Sequence, residues 1–440
     1  MINLSKIFFM KISDGRIINQ ILNYCRKALR AFGREGLPGV WFRLKRLLYV
    51  WEGYGFWHLP KVKKIVETGS FKYKIFLTAP TGNWNIDLFQ RPQQLALAFA
   101  NLGYLFFYCP HDPLWDNILG IKKIRTNLYL TNCYPQIIRT IDKFVYLVSN
   151  ASHPAISPKY IEKLRKKKDF ILIYDYLDEY CEFGQYQDKN FVEKMLIRHR
   201  YLVKYADIVV CTADKLYYEV KRLRQNKVYL VPNGSDYNHF RQSKRSLSGP
   251  SAFKKITNQG PIIGYFGALA EWFDYDLMNS LVVKNPDLNF VIIGSYFDDN
   301  LKALNKTSNL HYIGVIPYKI LPQYASRFDV AIIPFKINKI TEATSPIKLF
   351  EYMALGKPIV STNIRECRKY KSVLVSRNQD EFSNNLRKAL KLKNDKNYLK
   401  ILDQEAKKNT WEDRASQLDK IISRKTKELI NEIKIDSKID

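Results

Sequence analysis

Residues Ser345 to Thr362 read SPIKLFEYMALGKPIVST, a short helix entered from a loop and left for a strand. Ser345 and Pro346 suit the N-cap and first helical position. Ile347, Leu349, Phe350, Met353 and Leu355 give an apolar face, and Gly356 followed by Pro358 ends the helix. A helix start carries unpaired N–H groups and the positive end of the helix dipole. With the ammonium of Lys348, the stretch Ser345, Pro346, Ile347, Lys348 is therefore expected to form a pocket for a diphosphate. Glu351 lies one turn further in, and its carboxylate, which can only accept hydrogen bonds, suits a pair of sugar hydroxyls near such a group. The same residues also fit an ordinary amphipathic helix with Glu351 on its solvated face.

Outward from this segment, strand-like and helical runs alternate in two blocks. The first has strand-like runs at Tyr73 to Thr78, Tyr104 to Cys109, Leu128 to Thr131, Phe144 to Val148, Phe170 to Tyr174, Ile208 to Cys211 and Val228 to Val231. Helical patterns fall between them at Pro92 to Leu102, Pro158 to Lys166, Asn190 to Lys204 and Lys215 to Arg224. The second has Ile262 to Tyr265, Phe290 to Ile293, Leu310 to Ile313, Val330 to Ile333, Pro358 to Ser361 and Val373 to Val375, with helices near Tyr275, Leu321, Pro346 and Asp380. Such alternation implies an α/β chain whose parallel sheets are covered on both faces. The polar stretch Arg241 to Gly260 reads as a linker. The expected domains are an N-terminal extension (1–70), a first Rossmann-like domain (71–240), the linker (241–260), a second Rossmann-like domain (261–410), and a closing helix and tail (411–440).

Size and composition agree with this division. A chain of 440 residues exceeds one compact core, and 46% hydrophobic residues exclude global disorder. The six cysteines, Cys25, Cys109, Cys133, Cys181, Cys211 and Cys367, form no CxxC pair and have no His partners at zinc-ligand spacing, which favours a reducing cytoplasm. The apolar run Ile7 to Met10 is too short for a signal peptide, and no apolar run is long enough to cross a bilayer. The formal charge of +29 calls for an anionic partner. Its basic residues are spread along the chain without a helix-turn-helix, zinc-finger or RRM-type signature, so nucleic acid is not expected. Residues 16–57 instead interleave Arg26, Lys27, Arg30, Arg43 and Lys45 with Leu29, Phe32, Trp41, Leu47 and Trp51. They read as a basic amphipathic extension able to lie on an anionic membrane surface, or as helices docked on the first domain.

The Ser345 to Thr362 segment resembles the donor-site helix of GT-B fold glycosyltransferases (group 1, family 4-like), in particular the retaining group that includes sucrose synthases and bacterial teichuronic-acid and surface-polysaccharide transferases. Four more motifs follow in order. Gln90 to Ala96 (QRPQQLA) resembles the start of the family's first long helix, and Val231 to Phe240 (VPNGSDYNHF) its crossing between domains. Ile263 to Leu269 (IGYFGAL) resembles the first strand and glycine turn of the second domain, and Trp411, Glu412 and Arg414 the closing helix. The resemblance covers roughly residues 72 to 425 and implies two facing Rossmann-like domains. In such enzymes the carboxylate matching Glu351 holds the donor ribose and the helix start holds the nucleotide diphosphate. Many relatives carry an Arg and a Lys after the second-domain glycine turn, where this chain has Ala268, Leu269, Ala270, Glu271 and Trp272; Lys348 is expected to take over that charge.

On this reading the donor-binding candidates are Gly82, Gly267, Ser345, Pro346, Ile347, Lys348 and Glu351, with Arg91 able to reach the same anion from its helix start. Asp175, Asp178 and Glu179, in YDYLDEY at a strand end, lie where open α/β sheets place ligands, and one of them could position an acceptor hydroxyl. His111 and Asp112 are further acceptor-side candidates. The Asp274-Tyr275-Asp276 triplet reads as a helix start rather than a metal site, and neither a metal nor a cofactor is expected beyond the nucleotide-sugar substrate. The resemblance implies a transferase that moves a sugar with retention, and taken with the cysteine usage and the basic extension the reading is a cytoplasmic, membrane-associated enzyme acting on a hydroxyl of a surface glycan or lipid-linked saccharide. A sugar-nucleotide epimerase of similar fold, or a noncatalytic membrane- or nucleic-acid-binding protein retaining the fold, are the alternatives.

Overall fold

The computed structural model describes residues 55–68, 75–87, 89–179, 189–241, 260–296 and 300–436, together with Trp41, Lys45 and Ile256. The basic extension at 16–57 and the linker at 241–260 therefore lie almost wholly outside the described residues.

Strands β1 (Ile75–Thr78), β2 (Leu105–Tyr108), β3 (Ile121–Arg125), β4 (Leu128–Thr131), β5 (Lys143–Val148), β6 (Asp169–Tyr176), β7 (Ile208–Cys211) and β8 (Val228–Leu230) form one sheet in the order β3-β4-β2-β1-β5-β6-β7-β8. All neighbours are parallel except the β3/β4 hairpin. Strands β9 (Ile262–Phe266), β10 (Asn289–Ile293), β11 (Leu310–Gly314), β12 (Val330–Ile333), β13 (Ile359–Thr362) and β14 (Val373–Ser376) form an all-parallel second sheet, β11-β10-β9-β12-β13-β14. Central strands such as β1, β2, β9 and β10 are buried along their whole length, as expected when helices cover both faces.

β3 was not legible in the sequence. Its residues IKKIR expose Lys122, Lys123 and Arg125, because an edge strand buries little and charge on it blocks pairing with another chain. Cys109, Cys133, Cys211 and Cys367 are buried thiols with no disulfide.

The closing helix, Trp411–Asp436, returns to the first sheet. Trp411, Ala415, Leu418 and Ile422 share a core with Phe76, Leu95 and Phe99, and Tyr104 hydroxyl donates to Asp419. The second domain is thereby fastened to the first at both the Val231 crossing and the closing helix, and Ile347, at the start of the helix at 347–355, packs on this same core. Among the described residues no helix is long and apolar enough to cross a membrane.

Candidate active site in the cleft between the sheets

The helix expected from SPIKLFEYMALG runs Ile347–Leu355 and stops at Gly356, whose φ of 69° is the left-handed C-cap conformation. Its start differs from the expectation. Pro346, with φ −66° and ψ 117°, is the N-cap and no side chain caps the helix. Ser345 is turned away: its hydroxyl accepts from the Asn233 backbone N–H at 3.2 Å, and its carbonyl accepts from Asn233 Nδ2 at 2.7 Å. The domain crossing has taken the cap, so the helix's first N–H groups remain available to a ligand.

That uncapped start opens on a cavity of about 310 Å³ between the domains. Ser345, Pro346, Ile347, Lys348, Glu351 and Gly267 line it from the second domain, and Arg91 and Asp178 from the first. The Lys348 ammonium lies over the Phe335 ring (4.6 Å) and the Tyr265 ring (5.5 Å), with no hydrogen bond or ion pair among the described residues. Gly267, at φ 139°, leaves room for it: a Cβ there would stand 2.8 Å from Lys348 Cε. Burial holds the Lys348 ammonium down at about 8 and lifts the Glu351 carboxyl to about 8, against the mutual attraction of the two groups; Asp236 raises Glu351 further. Glu351 is 5% exposed and likewise has no partner among the described residues. A pocket that keeps a lysine and a glutamate side chain desolvated and unpaired among the described residues, three residues apart on one helix, is arranged for a ligand carrying both an anion and hydroxyl donors.

The first-domain candidates divide. Arg91 is 2% exposed and grips Asp175, itself 1% exposed, through Nε at 2.9 Å and Nη2 at 2.9 Å, while Nη1 donates to Pro232 carbonyl and Asn233. Arg91 and Asp175 thus neutralise each other, and the roles read for them towards phosphate and acceptor give way to a positioning one. Asp178 stays in the cleft, with no hydrogen-bond partner among the described residues, and burial pushes its carboxyl up to about 6. Glu179 pairs with Lys215 at 3.8 Å and does not line the cleft. Gly82 and His111 line a different cavity of the first domain, so Gly82 does not approach the helix start as expected. Asp112 completes a turn, accepting from Leu114 N–H at 3.1 Å, and lines neither cavity. Asp274 caps the helix Tyr275–Lys284 by accepting from Leu277 N–H at 3.0 Å, in keeping with the helix-start reading of that triplet.

Sequence reading passed over Tyr318. It lines the cleft, stacks on Phe89 (5.4 Å) and His239 (4.7 Å), and accepts from Gln94 Nε2 at 2.8 Å, closing the cleft from the second domain. The available signal was an aromatic in the loop after β11, at the strand end where open sheets place ligands.

Comparison with known proteins bears on this cleft. The family described as "Glycosyl transferases group 1" matches residues 260–392, which include the uncapped helix. A putative teichuronic acid biosynthesis glycosyltransferase, TuaH of Bacillus subtilis (strain 168), is 29% identical over 174 residues, 38% of this chain. The match spans 43% of that relative's length. Sucrose-phosphate synthase from Thermosynechococcus elongatus superposes with a TM-score of 0.57 at 16% identity, over 80% of this chain and 98% of its own. HepE of Anabaena, in complex with UDP, gives 0.58 at 12%, over 80% and 100%; HepE is also known in complex with UDP-glucose. These likenesses establish the two-sheet GT-B fold. The chain therefore carries, at residues 260–392, a glycosyl transferases group 1 domain as the second half of a GT-B fold.

Proposed function

We propose that the chain is a glycosyltransferase that binds a nucleotide-sugar in the cleft and moves its sugar, with retention, to a hydroxyl of a surface glycan or lipid-linked saccharide. The observation that carries this reading is the unpaired Lys348 ammonium beside the unpaired Glu351 carboxyl at an uncapped helix start. The helix N–H groups and Lys348 hold the diphosphate, and Glu351 accepts from the ribose hydroxyls. As the glycosidic bond breaks, negative charge grows on the leaving diphosphate, where fixed positive charge stabilises it most. The departing phosphate oxygen takes the acceptor's proton on the same face, so no protein nucleophile is needed and configuration is kept. Lys348 and the helix dipole supply the charge without a resident metal, a view supported by Asp274 being engaged as a cap. The UDP and UDP-glucose named for HepE make UDP-sugars the first donors to try.

Titration of the purified protein with UDP-, GDP- and dTDP-sugars is expected to show saturable binding of one class. Glu351→Ala should weaken it by about 10- to 100-fold, the worth of charge-assisted hydrogen bonds. Equal affinity in that variant would remove Glu351 from the donor site. We further place the protein on the inner face of the cell membrane, held by the basic extension at 16–57. It should then float with anionic liposomes at low salt and be released as salt rises; recovery only in the soluble fraction would refute attachment.

A further inference from the structure

The loop after β1 separates two cavities. Asp87 and Arg91 line the donor cleft, while Gly82 and Asn83 line a second cavity, of about 770 Å³, at the same end of the first sheet. The loop between them is pinned. Trp84 and Asn85 N–H groups both donate to Asp116 at 2.7 Å, Gln93 Nε2 donates to Asn83 carbonyl at 2.7 Å, and Tyr108 hydroxyl donates to Gly82 carbonyl at 2.6 Å.

The second cavity has the chemistry of an oxyanion receptor. Lys194 and Arg198 project into it from one face of the helix Lys189–Tyr205, four residues apart, and among the described residues no Asp or Glu lines it. Arg198 donates to Ser152 carbonyl at 2.6 Å, which aims its guanidinium but leaves its charge uncompensated among the described residues. Lys194 is exposed and makes no hydrogen bond or ion pair among those residues. His153 accepts from Ala155 N–H at Nδ1 (3.1 Å), so its ring proton is on Nε2. Burial, His111 and Arg198 hold that ring down at about 4, so it remains a neutral donor at physiological pH. Two cations and an imidazole N–H on the wall of one cavity repel each other until an anion enters.

We propose that this cavity is the acceptor subsite, and that it takes an oxyanion, a phosphate or a carboxylate, carried by the saccharide that receives the sugar. The inference rests on the glycosyl-transfer reading for the word acceptor; the oxyanion site itself stands on its own residues. A saccharide bridging the pinned loop would hold its charged group against Lys194 and Arg198 and present a hydroxyl to the donor cleft.

The test is calorimetric titration of the full chain with inorganic phosphate, glucuronate and methyl glucoside, run in the Lys348→Ala background, which weakens phosphate capture at the donor site. At least one oxyanion should bind about tenfold or more tighter than the neutral glucoside, and Lys194→Glu should remove that advantage. The same Lys194→Glu change made alone should leave UDP affinity within about twofold. Preference for phosphate points to a phosphorylated or diphosphate-linked acceptor, and preference for glucuronate to an acidic sugar. Equal binding of all three probes, no binding of any, or oxyanion affinity unchanged by Lys194→Glu overturns the proposal. Loss of UDP binding by the unsubstituted protein would instead count against the donor site alone.

Discussion

Replacing Lys348 with alanine is expected to lower kcat for sugar transfer by about 10²- to 10³-fold, the usual cost of removing one preorganised charge or donor from a developing oxyanion. The preorganisation is visible in the cleft. The ammonium already lies over Phe335 and Tyr265, and the absent side chain of Gly267 makes its space. The diphosphate gains charge as it leaves, so the loss should fall more on kcat than on KM. Near-normal kcat with a raised KM would mean that Lys348 only binds. The pH dependence has a definite sign. Burial holds the free Lys348 ammonium at about 8, and an arriving diphosphate favours its charged form, so binding at pH 8 to 9 takes up a proton and weakens as pH rises. Ribose hydroxyls favour the ionised form of Glu351, which burial has raised to about 8, and so act in the opposite direction. The Lys348 contribution is therefore the difference in proton uptake between the protein and Lys348→Ala, measured by calorimetry in buffers of different ionisation enthalpy. No difference would show that Lys348 does not meet the diphosphate.

Lys348 and Glu351 were legible because they are local: two residues three apart on one helix, next to its start, keep their relation whatever the rest of the chain does. The strands other than the charged edge strand β3 were legible for the same reason, since a buried parallel strand is a continuous apolar run. What failed was everything set by distant partners. Ser345 has the residue type of an N-cap, yet Asn233, 112 residues away, claims its hydroxyl. Arg91 reads as a cation at a helix start, yet Asp175, 84 residues away, neutralises it. Gly82 sits in a strand-end turn, but which cavity that turn faces depends on the packing of Lys189–Tyr205, a helix whose pattern is only that of a solvated amphipath. Lys194 and Arg198 carry no sequence signal for the same reason.

The second large effect is expected at Asp175. In Asp175→Ala the Arg91 guanidinium stays buried, with the Pro232 carbonyl and Asn233 as its remaining acceptors and no counter-charge, and breaking a buried pair on one side costs about 3–5 kcal/mol. That is a large part of the roughly 5–15 kcal/mol that holds a domain together, so the first domain should melt at markedly lower temperature or urea concentration. Replacing both partners, as in Arg91→Met with Asp175→Leu, should recover much of the loss, because the cost lies in the orphaned charge rather than in the missing attraction. The pair also reaches the active site. Asn233 accepts from Arg91, holds Ser345 by two hydrogen bonds, and offers its carbonyl to Arg414 Nε at 3.0 Å on the closing helix. Asp175 thereby sets where the uncapped helix start stands relative to the first domain. The apolar double variant, though stable, should remain impaired in transfer, since the Arg91 guanidinium no longer holds the Asn233 side chain in place. Full activity in that variant would show that Asn233 and the closing helix fix the donor helix unaided, and that the ion pair serves the first domain's stability only.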